Sequence, residues 1–386
     1  DHGQSVYYPI SPVLFFDLGA QAPRTLMLIW HGYTFLIFMA GVFGLYLVVS
    51  RLCGDWKYGL LASLFLYLSP RFFAEGHYNS KDIMSMSMII LCLWFFIRFL
   101  DSRKMGNAVL FALFGAFAAN MRISGMFFFG LCGLMYLVVL SVKREWSLRN
   151  FLAGLIAVVA FAGFYFLLTP VCWPDPIKFF SYVLSRSSNF SDWPGYVFYM
   201  GTLWRPVPWH YIPVLFAITT PPLIVFLTVA GNAAFIATVI KQKPKELFSG
   251  NGVFYLICMV YIWVFLGDAM IEQPILYDSW RHFYFLNGLF IVLAVFGLQS
   301  IVNLLKDKIK WVAVGAVALQ LLACVIIIFA NHPLEFVYFT GLAGSDPAAS
   351  YDMAYWSVSQ AKALMQLIDT ENSPDKISVT AADWYS

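Results

Sequence analysis

The sequence predicts an all-α polytopic membrane protein, on the basis of its composition, its long apolar runs and its few charges. Of the 386 residues, 61% are hydrophobic, and only 24 are basic and 21 acidic. The mean hydropathy is +0.74. This composition excludes a soluble globular, disordered or fibrous protein, and the net charge of +3 excludes a conventional nucleic-acid binder. The apolar runs are also too long and continuous for the strands of an outer-membrane barrel.

Ten apolar segments are predicted to cross the membrane, since a spanning helix needs roughly 20 apolar residues. These spans are 26–50, 56–73, 83–100, 105–121, 123–142, 151–169, 211–240, 252–268, 283–303 and 311–330. The stretch 105–142 is divided because a single helix of that length would extend about 57 Å, well beyond the ~30 Å hydrocarbon core. The polar residues Asn120 and Arg122 mark the division.

The loops between these spans fall into two sets of opposite charge character. One set carries 14 basic residues, namely Arg51, Lys57, Arg98, Arg103, Lys104, Lys143, Arg144, Arg149, Lys241, Lys243, Lys245, Lys306, Lys308 and Lys310. The same set has five acidic residues, namely Asp55, Asp101, Glu145, Glu246 and Asp307. The positive-inside rule places these short loops in the cytoplasm. The long segments 1–24, 170–210, 268–282 and 331–386 are then external, and function is expected on that side.

The two ends of the chain suggest a fragment of a longer protein. The sequence begins at Asp1 without Met or a signal peptide, and the external placement of 1–24 requires at least one more helix upstream. We expect a membrane domain over 1–330 and an external segment over 331–386, the start of a small soluble domain. Within it, Ala361, Leu364, Met365 and Ile368 have the spacing of an amphipathic helix, which is expected to dock on the membrane domain or on a sheet.

Ionisable residues collect on the external loops, and the first cluster lies at 75–82. It contains Glu75, His77, Asn79, Lys81 and Asp82. A helix cap would explain Ser80 or Asp82 taken alone. Five such residues within eight positions are more than a cap needs, and Lys81 beside a helix N-terminus could bind an anionic head group.

The second cluster comprises Asp278, Arg281 and His282, at the start of the span 283–303. Arginine is the preferred fork for phosphate oxygens, although an interfacial Arg among Trp and Tyr could equally extend to the lipid surface. Arg122 stands alone at an outward turn, and it could likewise bind phosphate or anchor the protein at the lipid surface. The aromatic, Pro-rich loop 170–210 could lie flat on the membrane or stack on sugar rings.

At these residues the sequence resembles bacterial membrane glycosyltransferases of the C-type fold, which are similar to protein O-mannosyltransferases and to the aminoarabinose transferase that modifies lipid A. The matching stretches are Ser-Pro-Arg-Phe-Phe at 69–73, His-Tyr-Asn-Ser-Lys-Asp-Ile at 77–83, Trp-His-Tyr-Ile-Pro at 209–213, Thr-Thr-Pro-Pro at 219–222, Tyr-Asp-Ser-Trp-Arg-His-Phe-Tyr-Phe at 277–285 and His-Pro-Leu-Glu-Phe-Val-Tyr-Phe at 332–339. The likeness covers nearly the whole chain, and its specificity lies in the ordered set.

The resemblance implies a polyprenyl-phosphate sugar donor and sugar transfer on the outer face of a bacterial cytoplasmic membrane. It also implies a catalytic carboxylate in the first external loop, in an acidic pair before a stretch like Tyr-Pro-Ile-Ser-Pro at 8–12. That complete pair is not found here: either Asp1 is its downstream edge, or the main catalytic carboxylate lies upstream of Asp1. Asp17 is interpreted as structural.

For the transfer itself, cations would stabilise the leaving phosphate and a carboxylate would take the proton of the acceptor hydroxyl. The candidates for the first role are Lys81, Arg281, His282 and Arg122. Those for the second are Glu75, Asp82 and Asp278. No nucleotide-binding motif is present; a divalent metal is compatible with the sequence, and the sugar and the acceptor are open.

Two other functions fit the composition. A transporter or flippase of a lipid-linked substrate would need a polar central cavity, for which only Asn232 and Gln320 are available. A non-catalytic membrane subunit would leave the external ionisable clusters without a purpose. The scarcity of ionisable groups within the spans argues against ion-coupled transport.

Overall fold

The structure, a computed structural model, describes residues 5–12, 23–188, 195–353 and 358–371. Within these residues the chain is almost entirely helical. The helices are α1 (Pro23–Cys53), α2 (Trp56–Tyr67), α3 (Pro70–Tyr78), α4 (Asp82–Ser102), α5 (Met105–Met121), α6 (Ile123–Lys143), α7 (Leu148–Leu168), α8 (Pro176–Ser188), α9 (Tyr211–Thr219), α10 (Pro222–Lys241), α11 (Pro244–Ser249), α12 (Gly252–Glu272), α13 (Asn287–Leu304), α14 (Asp307–Asn331) and α15 (Val358–Glu371). One antiparallel hairpin joins β1 (Val197–Tyr199) to β2 (Thr202–Trp204).

Eight helical segments of the described residues are long and apolar enough to cross a membrane. They are Arg24–Cys53, Asp82–Ser102, Ile123–Lys143, Leu148–Leu168, Pro222–Lys241, Gly252–Glu272, Arg281–Leu304 and Ile309–Asn331. Met105–Met121 is a ninth, shorter apolar helix. The predicted all-α polytopic membrane fold is thereby confirmed, and so is the division of 105–142, because α5 ends at Met121 and α6 begins at Ile123.

Two of the ten predicted spans are not single helices. The segment 56–73 divides into α2 and α3 around Pro70, whose ring cannot continue a preceding helix but suits the first turn of a new one. At 12 residues, α2 extends about 18 Å, which is too short to cross alone. The segment 211–240 likewise divides into α9 and α10 at Pro221.

The loops of the basic set meet at one end of the helices, which we call the basic end. Arg51 at the end of α1 forms two hydrogen bonds of 2.9 Å with Asp101 at the end of α4. It also donates to Asn251, which precedes α12, at 3.2 Å. Gln299 of α13 donates to the Cys53 carbonyl at 3.0 Å. The fold therefore brings together the helix ends that the alternation of spans placed on one side.

We call the opposite end of the helices the site end. Close packing of α10 against α13 helps to position it. Gly231 of α10 and Gly297 of α13 lie where the two backbones touch: a Cβ at Gly231 would come 1.9 Å from the Leu293 carbonyl oxygen, and one at Gly297 would come 2.4 Å from that of Leu227. Only small residues allow such an approach in a membrane bundle. The contact fixes α13, and with it the segment that precedes α13 at the site end.

The segment after α14 packs on the site end. Thr340 N–H donates to the Ile218 carbonyl at 2.7 Å, and Asp352 N–H donates to the Phe198 carbonyl in the hairpin at 3.1 Å. The predicted amphipathic helix is present as α15, whose 14 residues are too few to span. Its Leu364, Met365 and Ile368 are exposed among the described residues, so the docking expected for it is not observed within them. Residues 354–357 and 372–386 lie outside the described part of the chain.

Candidate active site

The turn between α3 and α4 is organised by Asn79, a fully buried side chain. Its amide nitrogen donates to Glu75 Oε2 at 2.7 Å and to Asp82 Oδ2 at 3.2 Å, while its Oδ1 accepts the Asp82 N–H at 3.0 Å. Asn79 therefore caps the start of α4 and connects two of the predicted carboxylates. Sequence reasoning counted Asn79 in the cluster but assigned it no role; its position three residues before a helix-initiating Asp was the available signal.

Asp82 is the point at which the two ionisable clusters converge. Its side chain is buried, and it forms ion pairs with Arg122 at the break between α5 and α6 and with Arg281. Arg122 Nε donates to Oδ1 at 3.1 Å, and Arg281 Nη1 donates to Oδ2 at 3.4 Å. Residues about 200 positions apart in the sequence thus meet at one site, as the similar depth of the two clusters predicted.

Arg281 is held by further contacts from its own loop. Its Nε lies 3.1 Å from Asp278 Oδ2, and its guanidinium carbon lies 4.7 Å from the centre of the Tyr277 ring. Asp278 and Ser279 both have left-handed backbone angles, with φ of 57° and 61°. Consecutive non-glycine residues rarely adopt this conformation, which here turns Asp278 back towards Arg281. His282 is also buried and lies edge-on to Tyr277.

The residues after Arg281 differ from the expected start of a helix. Arg281–Leu286 forms 3-10 turns, and the α-helix begins only at Asn287. The helical span expected from 283 therefore begins at Arg281, and only its α-helical part begins farther along the chain, at Asn287. The other expected N-terminus is present, since α4 begins at Asp82.

Glu75 occupies a second buried layer of the site. Tyr284 donates to Glu75 Oε1 at 2.8 Å, so that both carboxylate oxygens are hydrogen-bonded. Burial and the nearby Asp278 charge raise the pKa of Glu75 to about 7. Burial likewise raises the pKa of Asp278 to about 6, against the opposing effect of Arg281. Both carboxyl groups can therefore exchange a proton near neutral pH.

Arg71 borders this layer and was not among the predicted site residues. It is buried, donates from Nη2 to the Tyr338 carbonyl at 3.4 Å, and lies 5.6 Å from the centre of the Phe339 ring. It belongs to the stretch 69–73 that carried the family resemblance. Its partner lies 267 residues away in the sequence, so no local pattern could have identified it.

Lys81 differs from Arg122 and Arg281 because its amine forms no ion pair with any residue that the structure describes. Burial, followed by the charge of Arg122, lowers the pKa of Lys81 to about 8. Four cationic side chains thus face three carboxyls at the site end, since Arg71, Lys81, Arg122 and Arg281 accompany Glu75, Asp82 and Asp278. The excess positive charge suits an anionic group of a ligand.

The N-terminal segment contacts the same turn. Tyr7 donates from its hydroxyl to the Ser80 carbonyl at 2.6 Å, and Ser5 Oγ donates to Asn120 Oδ1 at 2.7 Å, two residues before Arg122. The Tyr-Pro-Ile-Ser-Pro stretch therefore begins beside the site. Asp1 and Asp17 lie outside the described residues.

Neither polar mid-span residue singled out for a transporter lines a described channel. Asn232 Oδ1 accepts the Trp263 indole N–H at 2.9 Å, and Gln320 Oε1 accepts the Leu223 N–H at 3.2 Å. Each of these bonds joins one helix to another. Among the described residues, no three His, Cys, Asp or Glu side chains come together as metal ligands would.

The fold and the site together define a multi-pass membrane protein with a buried, net cationic site at one end of its helices. Residues 30–169 match the family model of the dolichyl-phosphate-mannose-protein mannosyltransferases. The matched stretch contains Glu75, Lys81, Asp82 and Arg122. The resemblance to mannosyltransferase-like membrane enzymes of the C-type fold is thereby confirmed, and the match supports a membrane glycosyltransferase. Comparison with curated proteins gives no match.

Proposed function

We propose that the chain transfers a sugar from a polyprenyl-phosphate carrier to an acceptor hydroxyl at the site end. The observation that carries this proposal is the convergence of Lys81, Arg122 and Arg281 around the buried Asp82. A phosphate that arrives from the membrane needs several cationic donors at one depth, and isolated interfacial cations would not supply them. The family match supports the same donor class.

Different site residues have different roles in the proposed transfer. The acceptor oxygen forms a bond to the anomeric carbon, the bond from that carbon to the phosphate oxygen breaks, and the phosphate leaves with the electron pair. The charge that develops on the phosphate is stabilised by Lys81 and Arg281. Arg122 contributes with the part of its guanidinium that does not contact Asp82. Asp82 serves as the counter-ion that positions both arginines, because its two oxygens are already occupied by them and by Asn79.

Asp278 is the best placed described carboxylate to take the acceptor proton. Its side chain is 15% exposed, whereas that of Asp82 is 0% exposed. Glu75 is 2% exposed, and the charge of Asp278 helps to raise the pKa of Glu75. A carboxylate whose pKa is close to the working pH is well suited to this proton transfer.

The site end is proposed to face the periplasm or the exterior of a bacterial cytoplasmic membrane, because the opposite end carries the basic loops. A cysteine in place of the exposed Lys243 should then react with a permeant thiol reagent in intact cells and resist an impermeant one. Labelling of that cysteine by the impermeant reagent would reverse the orientation and place the site in the cytoplasm.

Turnover of a polyprenyl-phosphate sugar by the purified chain in liposomes tests the function. We expect release of free polyprenyl phosphate, with a rate that rises between about pH 6 and 7 and falls above about pH 8. The rise follows ionisation of Asp278 and Glu75, and the fall follows loss of the proton from Lys81. Movement of the intact donor across the bilayer without cleavage would identify a flippase instead.

A further inference from the structure

A cavity lies between the end of α14 and the segment that follows it. Its volume is about 240 Å³, and its walls include Asn331, Glu335, Tyr338, Phe339 and Pro347. Pockets for drug-sized ligands measure roughly 300–1,000 Å³. This cavity is therefore large enough for one small ring and too small for an oligosaccharide.

The cavity wall contains a buried carboxylate that the proposed transfer does not use. Glu335 is 2% exposed, and its Oε1 is hydrogen-bonded to His332 Nδ1 at 2.7 Å. The hydrogen bond to His332 uses only one of the two Glu335 oxygens. Glu335 lines the cavity, and a carboxylate can accept several hydrogen bonds, so a ligand hydroxyl in the cavity could donate to it. Asn331 Nδ2 is occupied by the Ile327 carbonyl, which leaves the Asn331 Oδ1 as a second acceptor.

The same segment connects the cavity to the charged site. The Tyr338 carbonyl accepts from Arg71, and the Phe339 ring lies under the Arg71 guanidinium. The Thr340 N–H anchors the segment to the Ile218 carbonyl at 2.7 Å. Arg71 in turn borders Glu75 and Tyr284. A ligand in the cavity would thus be separated from the site by a single layer of side chains.

We propose that this cavity binds one sugar ring, an inference that rests on the proposed glycosyl transfer. Aromatic walls suit the apolar face of a sugar, and carboxylate and amide oxygens accept its hydroxyl hydrogens. The stretch His-Pro-Leu-Glu-Phe-Val-Tyr-Phe at 332–339 thereby acquires a role as a sugar-recognition segment. The ring belongs either to the donor or to a glycan acceptor, since both present the same hydroxyl chemistry.

Saturation-transfer NMR on the full chain in lipid nanodiscs tests this site, with methyl α-mannoside and methyl α-glucoside as probes. At least one glycoside should bind, and Glu335→Gln should weaken its binding about tenfold or more, because a charge-assisted hydrogen bond is lost. Asn331→Ala should weaken binding severalfold. Because Asn331 is exposed, this variant should fold normally, and weaker binding would not be due to misfolding. The exposed Glu272→Gln is the matched control and should bind as the wild type does.

Two further arms separate this inference from the proposed function. Arg281→Ala should abolish binding of polyprenyl phosphate while the glycoside still binds. Competition between the glycoside and a polyprenyl-phosphate sugar would assign the cavity to the donor, and simultaneous binding would assign it to the acceptor. The inference is overturned if neither glycoside binds, or if Glu335→Gln and Asn331→Ala both bind it with wild-type affinity.

Discussion

Replacing Arg281 by alanine should lower the turnover of a polyprenyl-phosphate sugar by about 10²–10³-fold, the usual cost of removing one donor that stabilises charge in a transition state. Arg281 reaches Asp82 with one terminal nitrogen and Asp278 with Nε, so its guanidinium is fixed at the junction of the two clusters. Asp82 keeps Arg122 as its counter-ion in this variant. The folded protein should therefore survive, and the loss should appear in the rate.

Two companion variants make this expectation specific. Arg281→Lys should recover only part of the rate, because a lysine cannot present two parallel N–H donors to a phosphate. Arg51→Ala at the basic end removes an arginine of the same kind of ion pair and should leave the rate unchanged. A silent Arg281→Lys would instead indicate an arginine that only anchors the protein at the interface, and it would exclude Arg281 from phosphate binding.

Hydropathy and charge predicted the membrane architecture because both act over whole helices. The apolar runs identified the spans, and the basic loops grouped the helix ends as the contacts of Arg51 and Gln299 now show. What hydropathy could not predict was the course of the backbone within a run. The break before Pro70 interrupts a segment that is apolar on both sides, and only the proline itself marked it.

The site was predictable to the extent that it is local in sequence. Glu75, Lys81 and Asp82 fall within one turn, and Asp278 and Arg281 within another, so each cluster was visible alone. Arg71 and Tyr284 were missed because their partners come from distant helices. The sequence alone does not show that Arg71 is buried, because Tyr338 and Phe339, which contact it, come from a distant segment.

Asp82→Asn should destabilise the protein by roughly 3–5 kcal/mol, the typical effect of removing one partner from a buried ion pair. Asn keeps the shape of the side chain but leaves Arg122 and Arg281 facing each other without their shared negative charge. Their side chains are only 13% and 8% exposed, so water replaces little of what is lost. Thermal unfolding in detergent should show the loss, and turnover should fall with it because both arginines move.

The control for this variant is Asp101→Asn, which breaks the Arg51 pair at the basic end. That pair is 41% and 36% exposed, so the expected change in stability is at most about 1 kcal/mol. The double variant Asp82→Asn/Arg281→Ala should be less destabilised than the sum of the single variants, because it removes one of the two arginines that share the Asp82 charge. If Asp82→Asn is as mild as Asp101→Asn, Asp82 is not the counter-ion of the site.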